Sequence, residues 1–367
     1  MKKALFTAAL LYILCPAGLS QSTDTPEGLK QYVPILPSVR KEFFVIDPKL
    51  GYALKEVGGG VYVMSDNGWQ SAFLVTDDGV IVFDAPETFG PKIPSAVAGV
   101  TSQPIKYLVY SHIHRDHIGG AAALRSIKGL KIVACQGVSD FLNAQKDPNR
   151  PVPDETFVSE KTIKLGGKTV ELTRHFYHSN EGDLFIYVPE AKFMMAVDCV
   201  TPGYIPFSGF DITTNFDQYL KVFDELLAYD FTTFCGGHLT SIGDKSDVQM
   251  TKEFTLDVYH TVKRIHNSAN QQAIVAGAAK AVGTDNEFLL FKVVLDKITQ
   301  EAVAELKPRW INRLAGVDVW LESQVRTALI YVPWDDKVME SAAESARHRH
   351  AAVVRSIGAG SVGGIED

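Results

Sequence analysis

The distribution of apolar residues in the first part of the chain predicts a strand-rich opening. The runs GGVYVMS (59–65) and SAFLVTDDGVIVFDAP (71–86) are rich in β-branched and aromatic residues, which favour strands. Asp77-Asp78-Gly79 divides the second run and is typical of a hairpin turn. We therefore expect hairpin-linked strands at the start of the folded part.

From about residue 92 the pattern changes to helices alternating with strands. A helical stretch precedes the apolar run IKYLVYS (105–111), and a predicted helix at about 119–128 leads into KIVACQ (131–136). Strands alternating with helices indicate an α/β fold.

A second strand-rich passage and then a helical region follow. Four runs separated by turn residues predict strands: TIKLGG (162–167), KTVELTRHFYH (168–178), GDLFIYVP (182–189) and KFMMAVDCV (192–200). An amphipathic helix over 217–230 leads into the short strand FTTFCGG (231–237), and helices are predicted from about 248 to 330. Residues 341–367 are rich in Ala, Gly and Ser, which predicts a disordered tail.

The N-terminus is typical of a secretory signal peptide. Two lysines precede an apolar run at 4–19, and small residues favour cleavage after Ser20. The run is shorter than a spanning helix requires, and Pro16 interrupts it, so we expect no stable membrane insertion. The sequence thus predicts an exported protein, periplasmic or extracellular, with a polar lead-in over 21–50.

Composition narrows the classes of partner. The chain has 367 residues, 46% apolar and 22% charged, with a net charge of −7; loss of the two leader lysines would make the charge −9. Such an acidic chain disfavours nucleic acid as a partner. The three cysteines beyond the leader are too few for a disulfide framework, and we interpret them as small buried apolar residues.

Three of the ten histidines and an aspartate lie within six positions of the segment SHIHRDHIGG (111–120). In an extended segment side chains alternate, so His112 and His114 point to the same side and can reach one ion. Asp116 and His117 come next and can face a neighbouring position. Because buried polar groups need partners, packing alone rarely selects such a cluster. The segment therefore predicts a loop that supplies ligands to two metal ions.

The pattern His-x-His-x-Asp-His after an apolar strand resembles the signature of the metallo-β-lactamase superfamily. Its further landmarks follow in the family's order: Asp84 in VIVFDAP, His178 before a Gly-Asp pair, Asp198 in FMMAVDCV and His238 after Gly237. The resemblance spans a predicted domain at 51–265. It implies an α/β fold, the four-layer αββα sandwich of that family, with a C-terminal helical extension over 266–340.

The resemblance also implies a dizinc centre. The implied first-metal ligands are His112, His114 and His178, the second-metal ligands are Asp116, His117 and His238, and Asp198 bridges both ions. Imidazole and carboxylate donors suit Zn²⁺, with iron or manganese as alternatives. Asp116 would also act catalytically, by orienting a metal-bound hydroxide and accepting its proton.

Two ligand assignments have rivals. His178 is followed by Ser-Asn-Glu-Gly-Asp, one residue longer than in many relatives, and this makes His175 an alternative ligand. Cys199 is a rival to Asp198, although alternation along a strand would point Cys199 to the opposite side.

The predicted function is that of an exported metal-dependent hydrolase that cleaves an ester, lactone or amide-like small molecule. One alternative is a true β-lactamase, because VDCVTPGYIPF (197–207) resembles a run in one β-lactamase subclass. The other is an iron-dependent dioxygenase of the same fold. Thr201, Tyr204 and Phe207, in the loop after Asp198, are candidates for the substrate pocket.

The C-terminal helices exceed the minimal fold of the resembled family. They either cap the active site and shape the pocket or mediate a homodimer. Trp310 and Trp320 are ten residues apart, which predicts one shared helix face packed in the core.

Overall fold

The computed structural model of the protein describes residues 29, 32–239 and 241–335. Residues 334 and 335 are described by their backbone alone. The described residues up to Pro34 and those from Ile35 onward belong to separate units; every element named below lies in the second unit. The predicted leader (1–20) and tail (341–367) lie outside the described residues. No helix in the described part is both long enough and apolar enough to span a bilayer.

Two β-sheets form the centre of the fold. The first sheet has seven strands in chain order: β1 (Ala53–Gly58), β2 (Val61–Ser65), β3 (Gln70–Thr76), β4 (Gly79–Phe83), β5 (Ile105–Val109), β6 (Lys131–Cys135) and β7 (Glu155–Phe157). Strands β1 to β4 pair antiparallel and β4 to β7 pair parallel. The predicted change from hairpins to α/β structure is therefore confirmed.

The second sheet has five strands: β8 (Glu160–Leu165), β9 (Lys168–His175), β10 (Asp183–Val188), β11 (Phe193–Ala196) and β12 (Thr233–Cys235). Their order in the sheet is β12, β11, β10, β9, β8. Only the pair of β11 and β12 is parallel, because α6, defined below, crosses between them.

Within the described residues, ten helices accompany the sheets: α1 (Pro37–Arg40), α2 (Ile93–Ala98), α3 (Arg115–Ile118), α4 (Gln136–Gln145), α5 (Ser208–Ile212), α6 (Phe216–Leu227), α7 (Lys245–Ser268), α8 (Gln271–Val282), α9 (Glu287–Trp310) and α10 (Val317–Asp335). Short 3₁₀ helices in the same part of the chain lie at Gly90–Lys92, Ala121–Leu124 and Pro189–Ala191.

Strand β10 explains how the layers pack. All six of its residues are buried. Leu184 and Ile186 belong to a core shared with the first sheet, whereas Phe185 and Tyr187 belong to a core shared with α6, α7, α9 and α10. Because successive side chains of a strand point to opposite faces, β10 is apolar throughout and its sheet is covered on both sides. The predicted α/β sandwich with a C-terminal helical region is confirmed.

The prediction of a helix over residues 119–128 is wrong. Two of the predicted ligands, Asp116 and His117, lie in the short helix α3, and a 3₁₀ turn follows at Ala121–Leu124. The reason is a close backbone approach at Gly120, whose N–H donates to Ala85 O at 2.8 Å. A Cβ at this position would lie 2.4 Å from Pro86 O.

The two tryptophans do not share a helix, contrary to the prediction. Trp310 ends α9 and is buried, and its indole N–H donates to Asp257 Oδ2 at 2.7 Å. Trp320 lies in α10, beyond a turn at Gly316 where φ is 80°. This turn separates the two helices. The ten-residue spacing of the tryptophans therefore does not place them on one helix face.

The short element α5 has a left-handed backbone. Gly209, Phe210, Asp211 and Ile212 all have φ between 52° and 64°. A left-handed conformation costs about 1–2 kcal/mol for each residue other than glycine. Such a turn persists only where its surroundings fix it.

We expect Phe193→Ala to destabilise the fold by about 3–5 kcal/mol, because its ring is fully buried between the sheets and stacks on Phe83 at a centroid distance of 6.4 Å. Chemical denaturation measures the change. Phe288→Ala is the matched control, since that ring is 92% exposed and its loss should cost less than about 0.5 kcal/mol. Equal midpoints for the two variants would contradict the packing described.

Candidate metal centre

The seven predicted ligands come from segments that follow strand ends. His112 and His114 follow β5, Asp116 and His117 lie in α3, His178 follows β9, Asp198 follows β11, and His238 follows β12. Carboxyl ends of buried strands commonly carry the binding residues of α/β folds. The structure brings all seven together in two adjoining groups.

The first group contains three imidazoles around one carboxylate oxygen. His112 Nε2 and His178 Nε2 each lie 3.2 Å from Asp198 Oδ2, and His114 Nδ1 lies 3.9 Å from the same oxygen. His178 Nε2 is also 2.8 Å from His114 Nδ1. Four donor atoms thus surround a single point.

The second group lies on the other oxygen of the same carboxylate. His117 Nε2 and His238 Nε2 are 3.3 and 2.8 Å from Asp198 Oδ1, and 3.1 Å from each other. Asp116 Oδ2 is 3.4 Å from His117 Nε2. Asp198 therefore directs one oxygen to each group.

These separations fit a metal ion. Ligand atoms bound tetrahedrally to zinc at 2.0–2.1 Å lie about 3.3 Å apart. Moreover, His112 Nε2 and Asp198 Oδ1 are buried and make no hydrogen bond among the described residues. Buried polar atoms without partners are costly, and a cation in each group would satisfy them. The residues present fit divalent metal binding.

A hydrogen-bonded chain orients the first ligand. Ser111 Oγ is 2.9 Å from His112 Nδ1, and the Ser111 N–H donates to Asp84 Oδ1 at 2.7 Å. A partner on Nδ1 leaves Nε2 free to bind an ion. Asp84 also has a left-handed backbone, with φ 64°. Asp84, which the sequence pattern indicated, thus supports the predicted ligand His112 through Ser111.

The extra residue after His178 does not displace this histidine. The turn closes on itself, because the N–H groups of His178 and Ser179 donate to the Asp183 carboxylate at 2.9 and 3.0 Å. Gly182 N donates to Ser179 Oγ at 3.3 Å. The insertion is absorbed within the turn, and Asp183 fixes the backbone of His178.

Trp69 is a residue of the site that the sequence did not predict. Its indole N–H donates to Asp116 Oδ2 at 3.1 Å, and its backbone bridges to His238. The Leu239 N–H donates to Gly68 O, and the Gln70 N–H donates to Gly237 O. The β2–β3 turn thus holds both Asp116 and His238. The one feature of the sequence that could have indicated this role is the tryptophan in the polar turn DNGW (66–69).

The charges within the site are strongly coupled. Burial alone would raise the pKa of Asp198, but the neighbouring imidazoles of His117, His238 and His178 hold it well below its usual value. Burial lowers the pKa of His112 to about 3 despite its contact with Asp198. His112 is therefore neutral at physiological pH, as a metal ligand must be.

One side of the centre is open. His112, His117 and His178 are buried, whereas His114, Asp116 and His238 are partly exposed. Among the described ligand residues, the exposed surface lies on His114, Asp116 and His238, so Asp116 lies on the open side of the site.

The rival ligands lie elsewhere. His175 Nδ1 is 2.8 Å from Glu225 Oε2, and the ring stacks on Phe185 at 3.7 Å, outside both groups. Cys199 is buried and directs its thiol to Ala196 O. Among the described residues, Cys135, Cys199 and Cys235 are all buried and unpaired, which confirms their interpretation as apolar side chains.

The three pocket candidates differ in exposure. Thr201 is buried, and its carbonyl accepts the Tyr204 N–H at 2.9 Å. Tyr204 pairs with Ala315 ahead of α10, and burial raises the pKa of its hydroxyl to about 12. Phe207 is 51% exposed. Of the three, Phe207 alone presents a large apolar surface.

A two-sheet α/β sandwich with a His/Asp cluster between strand ends is the architecture of a metal-dependent hydrolase. Residues 68–238 match the family model described as the metallo-beta-lactamase superfamily. This match begins at the turn that carries Trp69 and ends on His238. The matched segment, just under half of the chain, has the fold and the His/Asp cluster of the metallo-β-lactamase superfamily, a family of metal-dependent hydrolases.

Solved structures are similar at low identity. A metallo-beta-lactamase from Pontibacter korlensis aligns over 55% of this chain and 97% of its own, with 16% identity and a TM-score of 0.48. The stereoselective inverting sec-alkylsulfatase Pisa1 from Pseudomonas sp. aligns over 78% of this chain and 51% of its own, with 15% identity and a TM-score of 0.52. This chain therefore spans about half the length of the sulfatase, and the likeness concerns the fold. No curated protein matches the sequence.

We expect Trp69→Phe to weaken binding of the second metal by about 10–100-fold, because Asp116 loses the donor that orients it. Competitive titration with a chromophoric chelator measures the two affinities separately. Trp320→Phe is the control, since that residue contacts no predicted ligand in the described contacts. Unchanged affinities in Trp69→Phe would show that Asp116 needs no such support.

Proposed function

We propose that the protein is an exported dizinc hydrolase that cleaves an ester, lactone or amide-like small molecule. The observation that supports two ions is the bridging position of Asp198, whose Oδ1 and Oδ2 face different histidine groups. The N-terminal sequence supports export. The net negative charge of the chain and the site at the strand ends favour a small-molecule substrate over nucleic acid.

Bound zinc would supply a Lewis acid and lower the pKa of water to about 7. His112, His114 and His178 would hold one ion, Asp116, His117 and His238 the other, and Asp198 both. Asp116 has a second task. Burial acts to raise its pKa, yet His117 and His238 hold that pKa well below its usual value, so the carboxylate stays ionised. With Oδ2 fixed by Trp69, it can orient an attacking water at the open side.

The residues behind the ligands restrict their motion. Ser111, Asp84 and Asp183 each hold a ligand segment by hydrogen bonds. A site fixed before the substrate arrives stabilises developing charge without reorganisation. These hydrogen bonds hold the buried ligand segments of His112 and His178 in place.

Metal analysis tests the dizinc proposal. Purified protein reconstituted with zinc should carry two ions per chain by mass spectrometry, and His238→Ala should carry one. A single ion at full activity would contradict the bridging role of Asp198. Activity that requires iron and consumes oxygen would instead favour the dioxygenase alternative.

A substrate panel tests the reaction class. Aryl esters, acyl lactones, nitrocefin and an alkyl sulfate ester should be assayed on zinc-loaded protein. The alkyl sulfate is included because of the sulfatase neighbour, and nitrocefin tests the β-lactamase alternative. We expect kcat/KM of about 10⁴ M⁻¹s⁻¹ or more on one carbonyl substrate. Hydrolysis of nitrocefin alone at that efficiency would identify a β-lactamase.

Asp116→Asn should lower kcat on the best substrate by about 10²–10⁴-fold, the usual contribution of a positioned acid or base. The amide keeps an acceptor for Trp69, so the fold should be retained. Steady-state kinetics with circular dichroism measure both effects. Asp78→Asn, in an exposed hairpin turn, is the control. An active Asp116→Asn enzyme would exclude this residue from catalysis.

A further inference from the structure

The left-handed element α5 adjoins the metal centre through the backbone. Thr214, just after α5, donates both its N–H and its Oγ1 hydroxyl to His178 O, each at 3.1 Å. Thr213 Oγ1 donates to Tyr177 O at 2.5 Å. The chain therefore passes from α5 directly onto the segment that carries a predicted ligand of the first metal.

The C-terminal helix α10 fixes the shape of α5 from one side. Gln324 is fully buried and spans the turn: Oε1 accepts the Phe210 N–H at 2.5 Å, and Nε2 donates to Pro206 O and Phe207 O at 2.6 and 2.8 Å. Ser323 Oγ accepts the Gly209 N–H at 2.9 Å. The added helical region thus supplies the partners for backbone groups that a left-handed turn leaves unpaired.

A second set of contacts fixes α5 from the inside. Asp211 Oδ1 accepts the Phe207 N–H at 2.8 Å. The Tyr219 hydroxyl lies between Asp211 Oδ2, at 3.1 Å, and Cys199 O, at 2.9 Å. Cys199 directly follows Asp198, so this network joins the turn to the bridging segment. Strained turns held in this way are common at functional sites.

The two most exposed side chains of residues 207–212 are apolar. Asp211 and Phe210 are buried, whereas Phe207 and Ile212, at the two ends of the turn, are 51% and 54% exposed. Trp320 packs edge-on against Phe207 at a centroid distance of 4.7 Å. The turn around α5 therefore buries the Asp211 carboxylate, and it exposes the aromatic side chain of Phe207 and the aliphatic side chain of Ile212.

We propose that Phe207 and Ile212, supported by Trp320, form the binding surface for an apolar alkyl chain of the substrate. Gln324 is then the positioning residue, because it holds the turn that carries this surface. The inference rests on the proposed hydrolase function and narrows its substrate class to compounds that combine a hydrolysable polar group with an extended apolar chain. Substrates that lack the chain would bind through the polar group alone.

Calorimetric titration of zinc-loaded protein with n-alkylphosphonates from methyl to octyl tests the surface without turnover. The phosphonate binds the metal centre, and each buried methylene should tighten binding by about fourfold. In the Phe207→Ala/Ile212→Ala double variant, the octyl-to-methyl affinity ratio should fall by about tenfold or more, with methylphosphonate affinity unchanged. Ile330→Ala, which removes an equally exposed side chain from α10, should retain the full ratio.

The outcomes separate this inference from the proposed function. If methylphosphonate binds but chain length has no effect, or if the double variant keeps the full ratio, the apolar surface is refuted and the metal centre stands. If zinc-loaded protein binds no phosphonate of any length, both proposals fail.

Gln324→Met tests the positioning role. The variant keeps the volume but loses all three hydrogen bonds, so the octyl-to-methyl ratio should fall while zinc content and methylphosphonate affinity stay at the wild-type values. A purely structural residue would change all three quantities or none, and either result would overturn the positioning role. Ser323→Ala, which removes two hydrogen bonds to the turn, is the milder variant should Gln324→Met fail to fold.

Discussion

The buried carboxylate of Asp198 is the constraint on which the site depends. An ionised group away from water is unfavourable unless charges and hydrogen bonds compensate it. Here four histidines surround its two oxygens at 2.8–3.3 Å. The backbone of Asp198 is also left-handed, with φ 60°. The surrounding structure must therefore fix both its charge and its conformation.

The supporting residues come from distant parts of the chain. Trp69 lies in the turn between β2 and β3, Ser111 follows β5, and Asp183 begins β10. Each fixes one ligand segment through a hydrogen bond. The first sheet and the second sheet thus each contribute both ligands and their supports, so the site forms only when the two sheets pack against each other.

The C-terminal helices are part of this arrangement. Trp310, in α9, packs in the core shared with the outer face of the second sheet, while α10 reaches the turn α5 through Ser323 and Gln324. A region that exceeds the minimal fold therefore has a specific contact beside the metal centre. Its role as a homodimer interface stays a prediction.

The sequence by itself determined the strands, the α/β order and the ligand types. Local patterns are sufficient to predict these features. Apolar runs indicate strands that are buried on both faces. The spacing of His112, His114, Asp116 and His117 places four ligand side chains in one loop. It also predicted that His178, Asp198 and His238 complete the set.

Only the tertiary structure decided the rest. Gly120 stops a helix because the backbone of another segment approaches it, and Trp310 and Trp320 fall on different helices because a turn intervenes. The support of Asp116 by Trp69 and of α5 by Gln324 joins residues 47 and 114 positions apart. Such contacts arise from the packing of layers, which no local periodicity encodes.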